Sequence, residues 1–319
     1  MNTAWNRRHW LAASASGLAL GLSSQSRADE KPDGDTEPLG VEPFLYGLNT
    51  STLQGFKMSL TDEVKLASKV GYGGIEPWIR ELDQHEKAGG SLDDLGRQIR
   101  DLGLVVPSAI GFFEWAVDDP ERRKKALEEA RRCMDMVRQI GGTRIAAPAS
   151  GATDVEGIDL RRLAERYRAV LDLGDEMGVV PEVEVWGFSK TLTRLGDAVF
   201  VAVESGHPSA CILPDVYHLY KGGSNLSSIR LLSGRAIPVF HLNDYPAQPP
   251  RETITDANRV YPGDGVAPLG DLMRDLRAIG FNGMLSLELF NREYWKQDPE
   301  TVARTGLQKM KAVVREALA

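Results

Sequence analysis

The chain has 319 residues, with 38 basic and 45 acidic side chains and a formal charge of −7. That balance argues against a nucleic-acid partner, because phosphate backbones are held by surplus Lys and Arg. The two cysteines, Cys133 in a helical pattern and Cys211 at the start of a strand, lack metal-ligand spacing and read as small buried apolar residues.

The first 28 residues read as an export signal of the twin-arginine type. Arg7-Arg8 precede an apolar run rich in Ala, Ser and Gly, and "SRA" closes it at Ala28. The run is too short and too rich in small residues for a permanent membrane span, and no later segment is apolar enough for one. Removing the three arginines of that segment leaves 35 basic against 45 acidic residues, a charge of −10. Residues 29–42, polar and rich in Pro and Gly, are expected to be a flexible leader. An exported, periplasmic or extracellular protein is the expectation.

From residue 43 to 319 short β-type runs alternate with longer amphipathic helical runs, eight times over. The expected strands are 44–49, 73–78, 104–112, 143–149, 180–187, 210–216, 237–244 and 283–290. Between them, "SLTDEVKLASKVGY" offers Ser59 or Thr61 as N-cap and Gly71 as stop, and Asp118 or Asp119 precedes Pro120 at the head of a long charged helix. Eight parallel βα units predict a single-domain α/β fold, a closed (β/α)8 TIM barrel. One connection is too long for an ordinary turn: the Pro/Gly-rich stretch after "VFHLND", which a barrel would place at its catalytic mouth.

A barrel brings the C-terminal ends of all its strands to one rim. Four successive expected strands end there on metal-binding side chains: Glu184, Asp215, His241 and Glu288. Three buried carboxylates without a cation would repel one another and raise their own pKa values. One divalent ion with one imidazole resolves the conflict, and three oxygens with one nitrogen suit manganese, magnesium, cobalt or zinc. Trp78, Trp115, Trp186 and Trp295 also fall at or just beyond strand ends. Aromatic faces suit the apolar side of a sugar, and Phe112 and Phe113 would join that wall.

The segments "GLNTSTL", "GYGGIEPW", "PEVEVWG", "PDVYHL", "VFHLNDYP", "RVYPGDG" and "LSLELFNREYW" resemble the xylose isomerase-like sugar phosphate isomerase/epimerase barrels, over essentially the whole of 43–319. The resemblance implies that Glu184, Asp215, His241 and Glu288 hold one metal ion, that His218 and Arg259 contact substrate, and that Glu184 and Glu288 exchange the substrate's proton. Extra residues between His241 and the "PGDG" turn make Arg259 the least direct match, and Pro214 stands where an aliphatic residue is expected. The implied reaction is isomerisation or epimerisation of a ketose, keto-sugar or inosose through a metal-stabilised enediolate. Glu76 and Glu114, at the ends of the second and third strands, are further candidates for substrate hydroxyls.

A lyase or dehydratase on a keto-cyclitol or keto-sugar would use the same site, and the ligand set does not separate the two. A hydride-shift isomerase would want a second metal and more carboxylates, and a superfamily endonuclease more histidines and a basic groove. A secreted carbohydrate-binding barrel without turnover is the reading from another class. "YKGGSN" (220–225) is a weak phosphate signal, and export points to an unphosphorylated sugar. Oligomeric state is left open, a homo-oligomer included.

Overall fold

The computed structural model describes residues 42–319. The expected signal and all of the expected leader but Glu42 lie outside the described residues. Seven strands are regular: β1 (Leu45–Asn49), β2 (Gly74–Glu76), β3 (Arg144–Ala147), β4 (Val180–Glu184), β5 (Ile212–Leu213), β6 (Val239–Leu242) and β7 (Met284–Leu287). The third expected strand, 104–112, is not among them. Pro107 lacks the amide hydrogen a ladder needs, so this segment pairs only at single parallel bridges, Val105 with Gly74 and Ile110 with Trp78. It still fills its place in the wall. Ala109 N–H donates to Arg144 O, and Ala146 N–H donates to Ala109 O.

All strand pairs are parallel. One sheet has the order β2-β1-β7-β6 and the other β3-β4-β5. The 104–110 segment joins them on one side, and a bridge between Asp215 and His241 joins β5 to β6 on the other. The ring is thereby closed as a TIM barrel. The helices are α1 (Leu60–Val70), α2 (Ile79–Lys87), α3 (Leu92–Asp101), α4 (Pro120–Gln139), α5 (Leu160–Met177), α6 (Leu195–Glu204), α7 (Val216–Lys221), α8 (Leu269–Ala278) and α9 (Pro299–Leu318).

Helix boundaries follow their local chemistry. The Ser59 hydroxyl accepts the Asp62 amide at the head of α1, and the Asp119 carboxylate accepts that of Arg122 ahead of Pro120 in α4. Inward residues of five wall segments, Ile110, Ala146, Leu213, Val239 and Met284, form a small apolar cluster inside the ring. The main core lies between strands and helices and includes Cys133; Cys211 is likewise a buried thiol. Among the described residues no helix is long and apolar enough to cross a membrane.

The long connection after β6 is well tied down. Asp244 accepts the amides of Tyr245, Gly263, Gly265 and Ala267 at 2.7–3.1 Å. The Lys221 ammonium donates to the carbonyls of Arg251, Glu252 and Ile254. Two clamps thus fold the loop back over the rim, and it carries Asp256 and Arg259 into the mouth of the barrel.

Candidate active site

The strand ends deliver a buried polar cluster. Asp215 lies one residue beyond β5, after Pro214, and caps α7, its Oδ1 accepting the His218 amide at 2.7 Å. His241 lies within β6, and Glu288 directly follows β7. Ligand atoms of Asp215, His241 and Glu288 all lie within 4.8 Å of one another, and all three residues are buried. Three of the four expected ligands form this group, and the fourth, Glu184, the last residue of β4, lines the same cavity.

The donor chemistry fits a divalent cation. His241 Nδ1 lies 3.3 Å from Glu288 Oε2 and 3.8 Å from Asp215 Oδ2, and neither ring nitrogen makes a well-directed hydrogen bond. Burial alone would lower the imidazole's pKa, but Glu288 and Glu76 outweigh it and hold the ring well above its ordinary range. The group attracts positive charge, as a carboxylate-rich cation site does.

Arg259 supplies part of that charge. It is 1 % exposed, and its Nη1 reaches Asp215 Oδ2 at 2.9 Å and Glu288 Oε2 at 2.6 Å. Its Nη2 reaches Asp256 Oδ1 at 2.5 Å and lies 3.1 Å from His218 Nε2. The guanidinium is also stacked over Tyr217 and Phe290. Arg259, expected as a substrate contact, lines the cavity, and its partners in the structure are the site's own carboxylates. His218 is buried, with burial first and Arg259 second lowering its pKa, so the ring is neutral near pH 7.

The two glutamates of the cavity are pushed apart. Burial raises Glu184, with His241 opposing and Glu288 reinforcing, and its Oε2 has no hydrogen-bond partner. Burial would also raise Glu288, but His241 and Arg259 overcome it and hold the carboxyl well below the usual range. Two carboxyls with opposite shifts in one pocket are a recurrent acid–base arrangement.

Around them is a cavity of about 250 Å³. Its wall is a run of tilted aromatic contacts, Trp78 to Phe112 at 5.2 Å, Phe112 to Trp186 at 5.5 Å and Trp186 to Phe188 at 5.1 Å, with Phe290 closing on Trp78 at 6.0 Å. Two expected members are not part of it. Trp115 is buried behind the rim against Tyr167, its indole N–H bound to Pro148 O at 2.7 Å. Trp295 turns its indole N–H onto Thr52 O at 3.0 Å in a short 3-10 turn and does not line the cavity. In both, a backbone carbonyl satisfies the indole N–H. Phe113 is likewise buried in the core, and Glu114 pairs with Arg122 at the surface.

Glu76 lies beneath the cluster rather than in the cavity. Its Oε2 accepts from Asn49 Nδ2 and Ser286 Oγ and lies 3.0 Å from His241 Nε2, the ring nitrogen opposite the one that faces Asp215 and Glu288. Asn243 and Asn49 were absent from the sequence expectation. Asn243 donates to Asp215 Oδ2 at 2.8 Å, and Asn49 spans Glu76 and Glu288 while accepting the Trp78 indole N–H. The available signal was position alone: Asn49 ends β1, and Asn243 lies two residues after His241.

The profile of the xylose isomerase-like TIM barrel family matches residues 64–313. Curated relatives include isomerases, epimerases and dehydratases. An inosose isomerase of Bacillus velezensis is 27 % identical over 263 residues, covering 80 % of this chain and 92 % of that protein. A 3-dehydroshikimate dehydratase of Pseudomonas aeruginosa is 25 % identical over 261 residues, but this chain spans only 39 % of its length. A crystal structure of the IOLI protein with a bound zinc atom superposes with a TM-score of 0.79 at 22 % identity, over 86 % of this chain and all of that one. These relatives support an isomerase or epimerase, with dehydratases as the other activity among them. With its closed parallel barrel and a profile match over most of its length, the chain belongs to the xylose isomerase-like TIM barrel family.

Proposed function

We propose that the protein is a divalent-metal-dependent isomerase or epimerase of a ketose, keto-sugar or inosose, working by proton transfer at the carbon next to a carbonyl. The observation that carries this reading is the placement of Glu184, a buried acid with a partnerless oxygen, beside the Asp215–His241–Glu288 group in an aromatic-walled cavity. Asp215, His241 and Glu288 would hold the ion. When bound, it would act as a Lewis acid towards the substrate's carbonyl and adjacent hydroxyl oxygens.

The chain's own residues account for the rest. Glu184 exchanges a proton with the substrate carbon, its raised pKa bringing acid and base forms within reach near neutral pH. Glu288 is the second carboxyl of the exchange. Neutral His218 accepts or returns a proton at a substrate oxygen, and the Arg259 guanidinium keeps that imidazole, Asp215 and Glu288 in register. Trp78, Phe112 and Trp186 cover the apolar face of the ring and exclude water. Arg259, among the described residues the one cation in the lining, is already engaged with three carboxylates, which supports an unphosphorylated substrate. The reading includes export by the twin-arginine-type segment at 1–28.

Dehydratase relatives support a second outcome on the same site: after proton removal, a β-hydroxyl leaves as water instead of the carbon being reprotonated. The test is to incubate metal-loaded protein with ketoses and inososes in deuterated water and analyse label and product. Deuterium in an epimer or isomer upholds the main reading, an unsaturated product selects the dehydratase, and neither label nor product with any ketose refutes both.

A further inference from the structure

Outside the cavity, three cations from separate connections gather in one cleft. Arg194, Lys221, Gly222, Gly223, Arg251 and Glu252 line a cleft of about 380 Å³ that shares no residue with the active-site cavity. Its three cations come from three different βα connections: Arg194 from the loop between β4 and α6, Lys221 from the end of α7, and Arg251 from the long loop after β6. All such loops lie on the catalytic face of a barrel.

Three cations face one acid there, in a chain whose formal charge is −7. Many surface arginines are paired with close carboxylates, as in Arg274–Asp271 and Arg304–Glu300, both at 2.6 Å. In the cleft the contrast is plain: among the described residues Arg194 and Lys221 make no ion pair, and Arg251 reaches Glu252 only at 3.8 Å. The Lys221 ammonium spends its three donors on the carbonyls of Arg251, Glu252 and Ile254 at 2.9–3.0 Å. It is a fixed, uncompensated charge. The two guanidiniums keep their donors free for a ligand, in the forked geometry that matches phosphate oxygens.

The floor is bare backbone. A Cβ on Gly222 would lie 1.9 Å from Thr193 O, so only glycine lets the 187–193 segment cross the end of α7 this closely. The same helix turn carries His218, whose carbonyl accepts the Gly222 amide at 2.9 Å. An anion in the cleft would therefore rest on the residue one turn from a cavity-lining imidazole.

We propose that this cleft is a binding site for a small oxyanion, phosphate or a phosphate monoester, held by Arg194 and Arg251 in the field of Lys221. It is independent of the catalytic reading, because its binding step needs no turnover. The test is calorimetric titration of inorganic phosphate into the metal-loaded full chain at fixed ionic strength, with wild type compared with the Arg194→Ala/Arg251→Ala double variant. Wild type should bind one phosphate saturably, and the double variant about tenfold or more weaker, with an unchanged melting temperature because both side chains are exposed. Arg194→Lys/Arg251→Lys should recover part of the affinity. Absence of saturable binding to wild type, or equal binding by the double alanine variant, overturns the proposal.

Two further arms locate the source of the anion. If it arrives on the substrate, the double variant raises KM for a ketose phosphate and leaves that for the free ketose alone. If it is free phosphate, added phosphate shifts KM for the free ketose in wild type and not in the double variant.

Discussion

The two sides of the cavity differ in how their charges are satisfied. On the β5–β7 side, Asp215 accepts from the His218 amide, Asn243 and Arg259, and Glu288 accepts from Arg259 and Asn49. On the β4 side, Glu184 shares the cavity with Trp186 and Phe188, with one oxygen unpaired and its pKa raised chiefly by burial. A buried carboxylate surrounded by cations is held ionised and still, whereas one surrounded by aromatic carbon takes up and gives back a proton at little cost. In the proposed reaction Glu184 and Glu288 both exchange the proton, Glu184 from the side where burial raises its pKa and Glu288 from the side that also holds the ion.

The sharpest way to break that contrast is Glu184→Gln. It should lower kcat by roughly 10²–10⁴-fold while elemental analysis still finds metal, whereas Glu288→Gln should lose metal and activity together. A Glu184→Gln protein that exchanges deuterium at the wild-type rate would sink the assignment. Next in size is Asp215→Asn, which leaves Arg259 buried with one partner fewer. Breaking a buried ion pair in this way costs about 3–5 kcal/mol, to be read by denaturant unfolding of the metal-free protein.

On the aromatic side the effect should be smaller and of another kind. Trp186→Ala should raise KM by about three- to tenfold with kcat nearly kept, since an aromatic contact is worth roughly 0.5–1.5 kcal/mol. A kcat loss with KM unchanged would mean that the ring positions Glu184 rather than substrate.

A further effect, on stability alone, comes from a buried acid outside the cavity. Glu63 in α1 is raised to about 9 by burial and by Glu81, with Arg80 opposing and Asp62 reinforcing. A folded-state pKa above the unfolded one contributes stability that is complete below the unfolded value of 4.5 and is lost as pH rises through about 9. Glu63→Gln lacks that loss. The melting temperature of wild type should fall behind the variant's steadily between pH 4.5 and 9, and parallel curves would show that Glu63 ionises freely.

Much of the site was legible because strands of one barrel end on one rim. Asp215, His218, His241 and Glu288 stand at or just beyond the ends of their strands, and the periodicity that marks a strand also marks its last inward residue. The tryptophans show the limit of that inference. Trp78 and Trp186 line the cavity, while Trp115 and Trp295 share the same strand-end positions and bury their indoles elsewhere. What separates them is which backbone carbonyl each N–H can reach, Pro148 O for one and Thr52 O for the other. Position along the chain does not encode that.

The amino-acid sequence by itself determined the alternation of strand and helix, the capping at Ser59 and Asp119, and the array of acids at strand ends, because each depends on residues within a few positions of one another. Only the tertiary structure decided that the 104–110 segment closes the wall with single bridges, that Asp215, His241 and Glu288 gather within 4.8 Å in the cavity that Glu184 also lines, and that Arg259 reaches two carboxylates across the rim. Arg259 is separated by 44 residues from Asp215 and by 29 from Glu288. Contacts over such spans are set by closure of the barrel and by the clamps of Asp244 and Lys221 on the long loop, not by any local preference of the chain.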